Sequence, residues 1–539
     1  MRLLALALLI VGCSDKQPDG DDTADTAPDT TADDTDSDDT DARTDEDTTF
    51  PTGSDACYNE GQNQIVLDAS VSFGTLAEAL VSASAGSDLL ICDGSYDAGV
   101  TLDFPVTLRS ENGPADTVLR GVGGSVLRVA SDGVRVEGLT LSGGLGSDWT
   151  IGGDEPVLAG GGLYAEEVTS LTVDGCVFIG NSAAYGGGLA AVRVAQLVLS
   201  GNSFSTNTAD VAGGGVYAQQ SAVTITGDTF LGNSADFGGG VTAEVSALTL
   251  TDASLESNSA TVRGGGVLAL SESSLAVSGG TFTGNSSAFG GGLAAYQGAL
   301  SVSVEDARFD GNTAGTWGGG LYLENVPEVS LSALTLQSNL ADFGGGAFLN
   351  GCDAVGIGLT VSDNEAARSG GGIYALESSF SLDDSQLIGN HATLDPELGA
   401  PCGGGLSAQV SDLTLSGNTV RDNTSTLYGG GICLVGGNLS LSGGSIGDNT
   451  AAEWGGGLWL QTAATATLSA AAVTGNAAAL GGGGAYLYVD GATLTSDASS
   501  WGSDTDDNTP DDVNVWGASY SDYSDAETFT CDVVGGACN

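Results

Sequence analysis

Two stretches, "FIGNSAAYGGGL" (Phe178–Leu189) and "FLGNSADFGGGV" (Phe230–Val241), are copies of one unit. An aromatic residue precedes an asparagine by three places, and a triple glycine follows before an aliphatic residue. Triple glycines begin at thirteen places from Gly160 to Gly481, mostly 25–28 residues apart, with one step of 33. Twelve asparagines, from Asn181 to Asn476, run in phase with them. Working outward, apolar pairs such as Leu171/Val173, Leu197/Leu199 and Leu413/Leu415 precede the asparagine, and pairs such as Leu189/Ala191 and Val216/Ala218 follow the glycines. Each unit thus holds three short stretches of period two and no room for a helix. A fixed period in a glycine-rich chain is the mark of a repeat architecture. Three strands and three bends per unit predict a parallel β-helix, whose rungs stack at ~4.8 Å into a rod on the order of 75 Å long. In-register asparagines can form a hydrogen-bonded ladder, and glycines permit the tight bend. Both are scaffold.

The pattern F-x-x-N…G-G-G-[LVI] over residues 151–490 resembles the repeat of chlamydial polymorphic outer-membrane proteins. That resemblance implies a right-handed β-helix displayed at a cell surface and used in adhesion. The third glycine stands where that family usually has alanine, and its C-terminal barrel has no counterpart in these residues. At the other end, "SFGTLAEALVSAS" (Ser72–Ser84) carries a capping box, Thr75 with Glu78. It places Leu76, Ala79, Leu80 and Ala83 on one helical face. A helix here would cover the open end of the solenoid. Followed by "GSY" and short strands, it resembles the start of pectate-lyase-like β-helix proteins.

The chain divides into residues 1–12, 13–56, 57–150, 151–490 and 491–539. The first reads as a signal peptide: Arg2, then an apolar run, Leu3–Val11, too short to span a bilayer. Its end, Ile10-Val11-Gly12-Cys13, resembles the lipobox of bacterial lipoproteins, which implies acylation of Cys13. Asp at the place of Ser14 would retain such a protein at the inner membrane, so an outer-membrane anchor is expected. Residues 15–47 hold 15 acidic and 2 basic residues and almost nothing apolar, as an extended tether would. Residues 57–150 read as a cap with irregular first rungs, and 491–539 as a C-terminal cap ending in a hairpin.

The formal net charge of −57 excludes nucleic-acid binding. The expected partners are the membrane, through the anchor, and a glycan or protein on another surface; the rod is expected to be monomeric. Eight cysteines besides Cys13 suit an exported protein. Cys57 with Cys92 would staple the N-terminal cap and Cys531 with Cys538 a hairpin, while Cys402 would reach Cys433 or Cys352. Cys176 and Cys352 lie seven rungs apart, about 34 Å at ~4.8 Å per rung, too far to pair.

Chemistry is sparse. The single histidine, His391, falls in the inserted segment His391–Cys402. Uronate lyases of this fold use Arg or Lys, and here the arginines are scattered. Of adjacent carboxylates on a repeat strand there is only Asp383/Asp384, which face opposite sides. Asp504, Asp506, Asp507, Asn508, Asp511 and Asp512 form an oxygen-rich cluster, the candidate Ca²⁺ site and the only cofactor expected. The candidate ligand-binding residues are the aromatics two places after the glycines: Tyr217, Tyr322, Phe348, Tyr374, Trp459 and Tyr486. Alternation along the strand turns them outward. Ala190, Thr242, Leu268, Ala294, Ser407 and Cys433 interrupt the series, and a second aromatic series before the glycines (Tyr185, Phe237, Phe289, Trp317, Phe343, Tyr428, Trp454) is expected to pack at the bend. The expected function is a non-enzymatic, lipid-anchored envelope rod with an adhesive or ligand-binding face. The alternative is a polysaccharide lyase or hydrolase on the same fold.

Overall fold

In a computed structural model, the triple glycine is the hinge of each rung. At Gly186–Gly188 the first glycine has φ +63°. A Cβ on the second would lie 2.5 Å from the carbonyl oxygen of Thr208, and one on the third 2.6 Å from that of Gly215. A left-handed turn and two close backbone contacts leave no place for a side chain. The structure describes Cys57 and residues 64–150, 155–393, 402–489, 491–503, 505–517, 520–523, 527–533 and 537–538. Cys13, the signal segment, the tether and Asp504 lie outside the described residues, as do residues 394–401 of the insertion.

The fold is a parallel β-solenoid with one helix among the described residues, Leu76–Ser82. Thr75 caps the helix by accepting from the Glu78 N–H. Leu76 and Ala79 are buried, with Leu80 and Ala83 packed against the same core. Most complete rungs have four strands rather than the expected three. Leu189–Val192, Leu197–Ser200, Ser203–Ser205 and Thr208–Ala212 are an example. In two rungs the first pair runs on as one strand, Leu406–Ser416 and Ile432–Ser442. The strand before the glycines was illegible because it sends only one alanine inward, such as Ala183 or Ala209. It has no apolar alternation to read. It forms a 14-stranded sheet of its own, and the strand that carries the aromatic three places before the asparagine forms a 15-stranded one.

Equivalent residues stack in register: Leu189 on Val216, Phe178 on Phe204. The lumen holds one continuous apolar core, including a stack of Phe178, Phe204 and Phe230 with rings 4.5 and 4.9 Å apart. The asparagines form the ladder. The Asn312 side-chain amide and backbone N–H both donate to Asn339 Oδ1, and the same amide donates to the Phe282 carbonyl. Every donor at this buried bend is therefore used. The disulfides are Cys57–Cys92, Cys402–Cys433 and Cys531–Cys538, with Cys176 and Cys352 buried as thiols. His391 belongs to a strand, His391–Ala392, and not to the insertion.

Candidate functional site

The aromatic series does leave the lumen, but it is not exposed. Tyr217, Tyr322, Phe348, Tyr374, Trp459 and Tyr486 range from 0 to 8 % exposed. The triple glycine folds the strand before it back against the strand after it, which makes a re-entrant corner on the outside of the solenoid. The two aromatic series meet in that corner. Trp317 stacks on Phe348 at 5.2 Å, and Tyr428 on Trp459 at 4.4 Å. Alternation tells which side of a sheet a residue occupies; it does not tell what covers that side. The corner is thus a second core, in three clusters separate from the lumen.

Polar tips close its middle. Tyr217 donates to Glu244 and Tyr322 to Glu324, each at 2.6 Å, and Tyr374 donates to Gln409 at 2.9 Å. Burial pushes the phenols of Tyr217, Tyr322 and Tyr374 above the usual tyrosine range. They stay protonated and serve as donors. Glu244 and Glu324 lie three rungs apart, about 14 Å at ~4.8 Å per rung. That is beyond the ~5–9.5 Å separation of a glycosidase pair.

The C-terminal end of the corner is open. Past the Cys402–Cys433 disulfide, whose sulfurs take two ring positions, lies a cleft of about 410 Å³. Its walls are Tyr428, Trp454, Trp459, Tyr486, Tyr488 and Trp516, with Gln461 between them. Trp459 and Tyr486 are parallel, 5.0 Å apart, and Trp516 stands edge-on to Tyr488 at 4.9 Å. Trp516 is 49 % exposed. Gln461 accepts from the Trp459 indole N–H at 3.3 Å. Sequence reading missed Tyr488 and Trp516. Tyr488 is the next outward position after Tyr486, which period two does give. Trp516 is aligned with it only through an irregular cap strand, Val513–Val515.

Each described carboxylate of the acidic cluster accepts from an N–H group. Asn508 is the thirteenth rung of the asparagine ladder: its Oδ1 accepts from the Asn476 backbone and side-chain N–H groups. Its own amide donates to Asp512 Oδ1, while Asp512 Oδ2 accepts from the Tyr523 N–H. Asp511 accepts from the Gly482 N–H, Asp506 from that of Ser503, and Asp507 from that of Asn508. Burial raises the Asp512 carboxyl to about 6 and Asp511 in the same direction. Asn508 and Asp512 thus finish the asparagine ladder; Asp504, the first residue of the expected Ca²⁺ site, lies outside the described residues. Among the described residues the one trio of close acidic or thiol donors is Cys57, Cys92 and Glu111, and its sulfurs are joined in a disulfide. His391 is exposed, with Nδ1 2.6 Å from the Thr424 hydroxyl.

Residues 306–324 match the Chlamydia polymorphic membrane protein repeat. No curated protein sequence matches. Among solved structures, the chain is similar to the periplasmic alginate epimerase AlgG, at 10 % identity and TM-score 0.34, over 67 % of this chain and 80 % of that one. It is also similar to the Azotobacter vinelandii mannuronan C-5 epimerase AlgE6 A-module, at 12 % identity and TM-score 0.22, over 76 % and 91 %. A third likeness is to the bacteriophage Phi29 gene product 12 N-terminal fragment, at 10 % identity and TM-score 0.29, over 83 % and 94 %. No helix among the described residues is long and apolar enough to cross a membrane.

Proposed function

We propose that this chain is an envelope protein that binds a glycan chain in the aromatic cleft at the C-terminal end of its outer corner. The cleft carries the reading: six aromatic side chains around about 410 Å³, one of them a half-exposed tryptophan. Rings of this kind offer flat apolar faces with polar rims, and the volume falls in the range of small-molecule sites. Gln461 adds a side-chain amide at the centre for hydroxyl groups. Acylation of Cys13 would hold the rod at an outer membrane, with residues 14–56 as its tether.

A glycan array probed with the whole chain tests the cleft. Trp516→Ala and Tyr488→Ala each lower binding at least about tenfold, a loss of ~1.4 kcal/mol. Undiminished binding in both overturns the assignment. Radiolabelled palmitate incorporation that survives Cys13→Ser overturns the anchor. Protease shaving of intact cells reports which side of the membrane the rod faces.

A second reading, an enzyme acting on polysaccharide, has one observation behind it. Arg263 lies over the Tyr296 ring at 4.1 Å and within reach of the phenols of Tyr296 and Tyr322, so a guanidinium and two proton-carrying hydroxyls meet in the corner. Depolymerisation of an array-positive glycan that disappears in Arg263→Ala would favour it.

A further inference from the structure

The corner has a second opening, near its N-terminal end, where both aromatic series are interrupted in neighbouring rungs. Ala212 stands between Tyr185 and Phe237 in the column before the glycines, and Thr242 follows Tyr217 in the column after them. The missing rings leave a notch of about 150 Å³. That is about five waters' worth of liquid volume, too small for a polymer and enough for one headgroup. Its walls are the rings of Tyr185, Tyr217, Phe237 and Tyr296, and Glu244 lines its lip. Tyr185 and Tyr217 are 4.9 Å apart and inclined at 51°, so they present faces from two directions.

Three facts give the notch a sign. Ring faces attract cations, and this corner already holds them. Arg263 lies over Tyr296 at 4.1 Å and over Phe289 at 4.9 Å, and Arg368 lies over Phe343 at 5.1 Å. Neither guanidinium has a described carboxylate within ion-pair distance, and the Nε of each is buried without a partner. Finally, the charge acting on both Tyr185 and Tyr217 is that of Glu244, whereas Tyr296 at the far wall feels Arg263 first and Glu244 after it. The half of the notch between Tyr185, Tyr217 and Glu244 is therefore electronegative, in a chain of net charge −57.

We propose that this notch binds a small organic cation, an ammonium group of trimethylammonium size, caged by Tyr185, Tyr217 and Phe237 and paired with Glu244. The site is separate from the C-terminal cleft, and its success or failure leaves the glycan reading untouched.

Choline and its neutral isostere 3,3-dimethyl-1-butanol, titrated calorimetrically into the whole chain, test it directly. They share shape and differ in charge. Choline binds at least about tenfold more tightly than the alcohol, and Glu244→Gln removes most of that difference. Ala212→Phe completes the ring column between Tyr185 and Phe237, fills the notch and abolishes choline binding, with the melting temperature unchanged or raised. Equal binding of choline and the alcohol, no binding of choline at millimolar concentration, or choline binding indifferent to both substitutions overturns the proposal. A destabilised Ala212→Phe chain shifts the decision to Glu244→Gln, whose side chain keeps its size.

Discussion

The lumen and the outer corner are both buried, both built of stacked rungs, and differ in one respect. Inside, each position repeats its own chemistry: aliphatic on aliphatic, phenylalanine on phenylalanine or leucine, asparagine on asparagine. Outside, the corner changes from rung to rung, from rings to alanine, threonine, arginine and a disulfide. Repetition satisfies the stacking that a solenoid needs. Variation is where openings arise, and the two openings of the corner sit where its ring columns are broken or end.

The sharpest way to break this comparison is to injure the repeated part. Asn312→Ala removes the acceptor for the backbone and side-chain N–H groups of Asn285, both fully buried. Two unsatisfied donors at ~1–3 kcal/mol each predict a loss on the order of 4 kcal/mol. Urea unfolding followed by circular dichroism measures it, and a loss below about 1 kcal/mol would show that the ladder is ornamental. Next comes the corner itself. Phe348 is 2 % exposed, so Phe348→Ala costs about 3–4 kcal/mol in the same assay. A surface ring would cost within about 0.5 kcal/mol.

A smaller effect has the opposite sign. Asp228 continues a short second ladder, accepting from the backbone and side-chain N–H groups of Asn202. Burial raises its carboxyl to about 7, against the lowering effect of those same donors. A carboxyl raised in the folded state stabilises the fold fully below its unfolded value of ~3.9. That contribution is lost as pH rises through about 7. Asp228→Asn keeps the acceptor and removes the charge. Relative to the parent it gains stability between roughly pH 4 and 7 and then levels off. Equal stability of the two at pH 8 would mean that Asp228 is paired with another group. The smallest effect on stability belongs to Trp516→Ala, about 1 kcal/mol or less given its exposure. Its effect appears in ligand binding instead.

Much of this was legible in the sequence. The phase-locked glycines and asparagines give the solenoid, and Thr75 with Glu78 gives the helix. Every aromatic position of the C-terminal cleft except Tyr488 and Trp516 stands at a repeat position that the sequence marks. The burial of those positions was not legible, because it depends on the angle between two strands across Gly455–Gly457 and its equivalents, which no period encodes. The role of Asn508 was hidden by a step of 32 residues from Asn476 and by its acidic neighbours. Charge composition points to a cation there and says nothing of the N–H groups that the described carboxylates also accept from. The notch at Ala212 and Thr242 was visible only as interruptions, and an interruption acquires meaning once its walls are known.

Hydroxyl-radical footprinting of the whole chain, with and without a glycan selected on the array, locates the glycan on the solenoid. Protection of Trp516, Tyr488 and Trp454, with Trp149 and Trp501 unchanged, is the predicted result. Protection confined to the Ser/Thr-rich outer strands, or none at Trp516, would contradict the placing of the binding site in the corner.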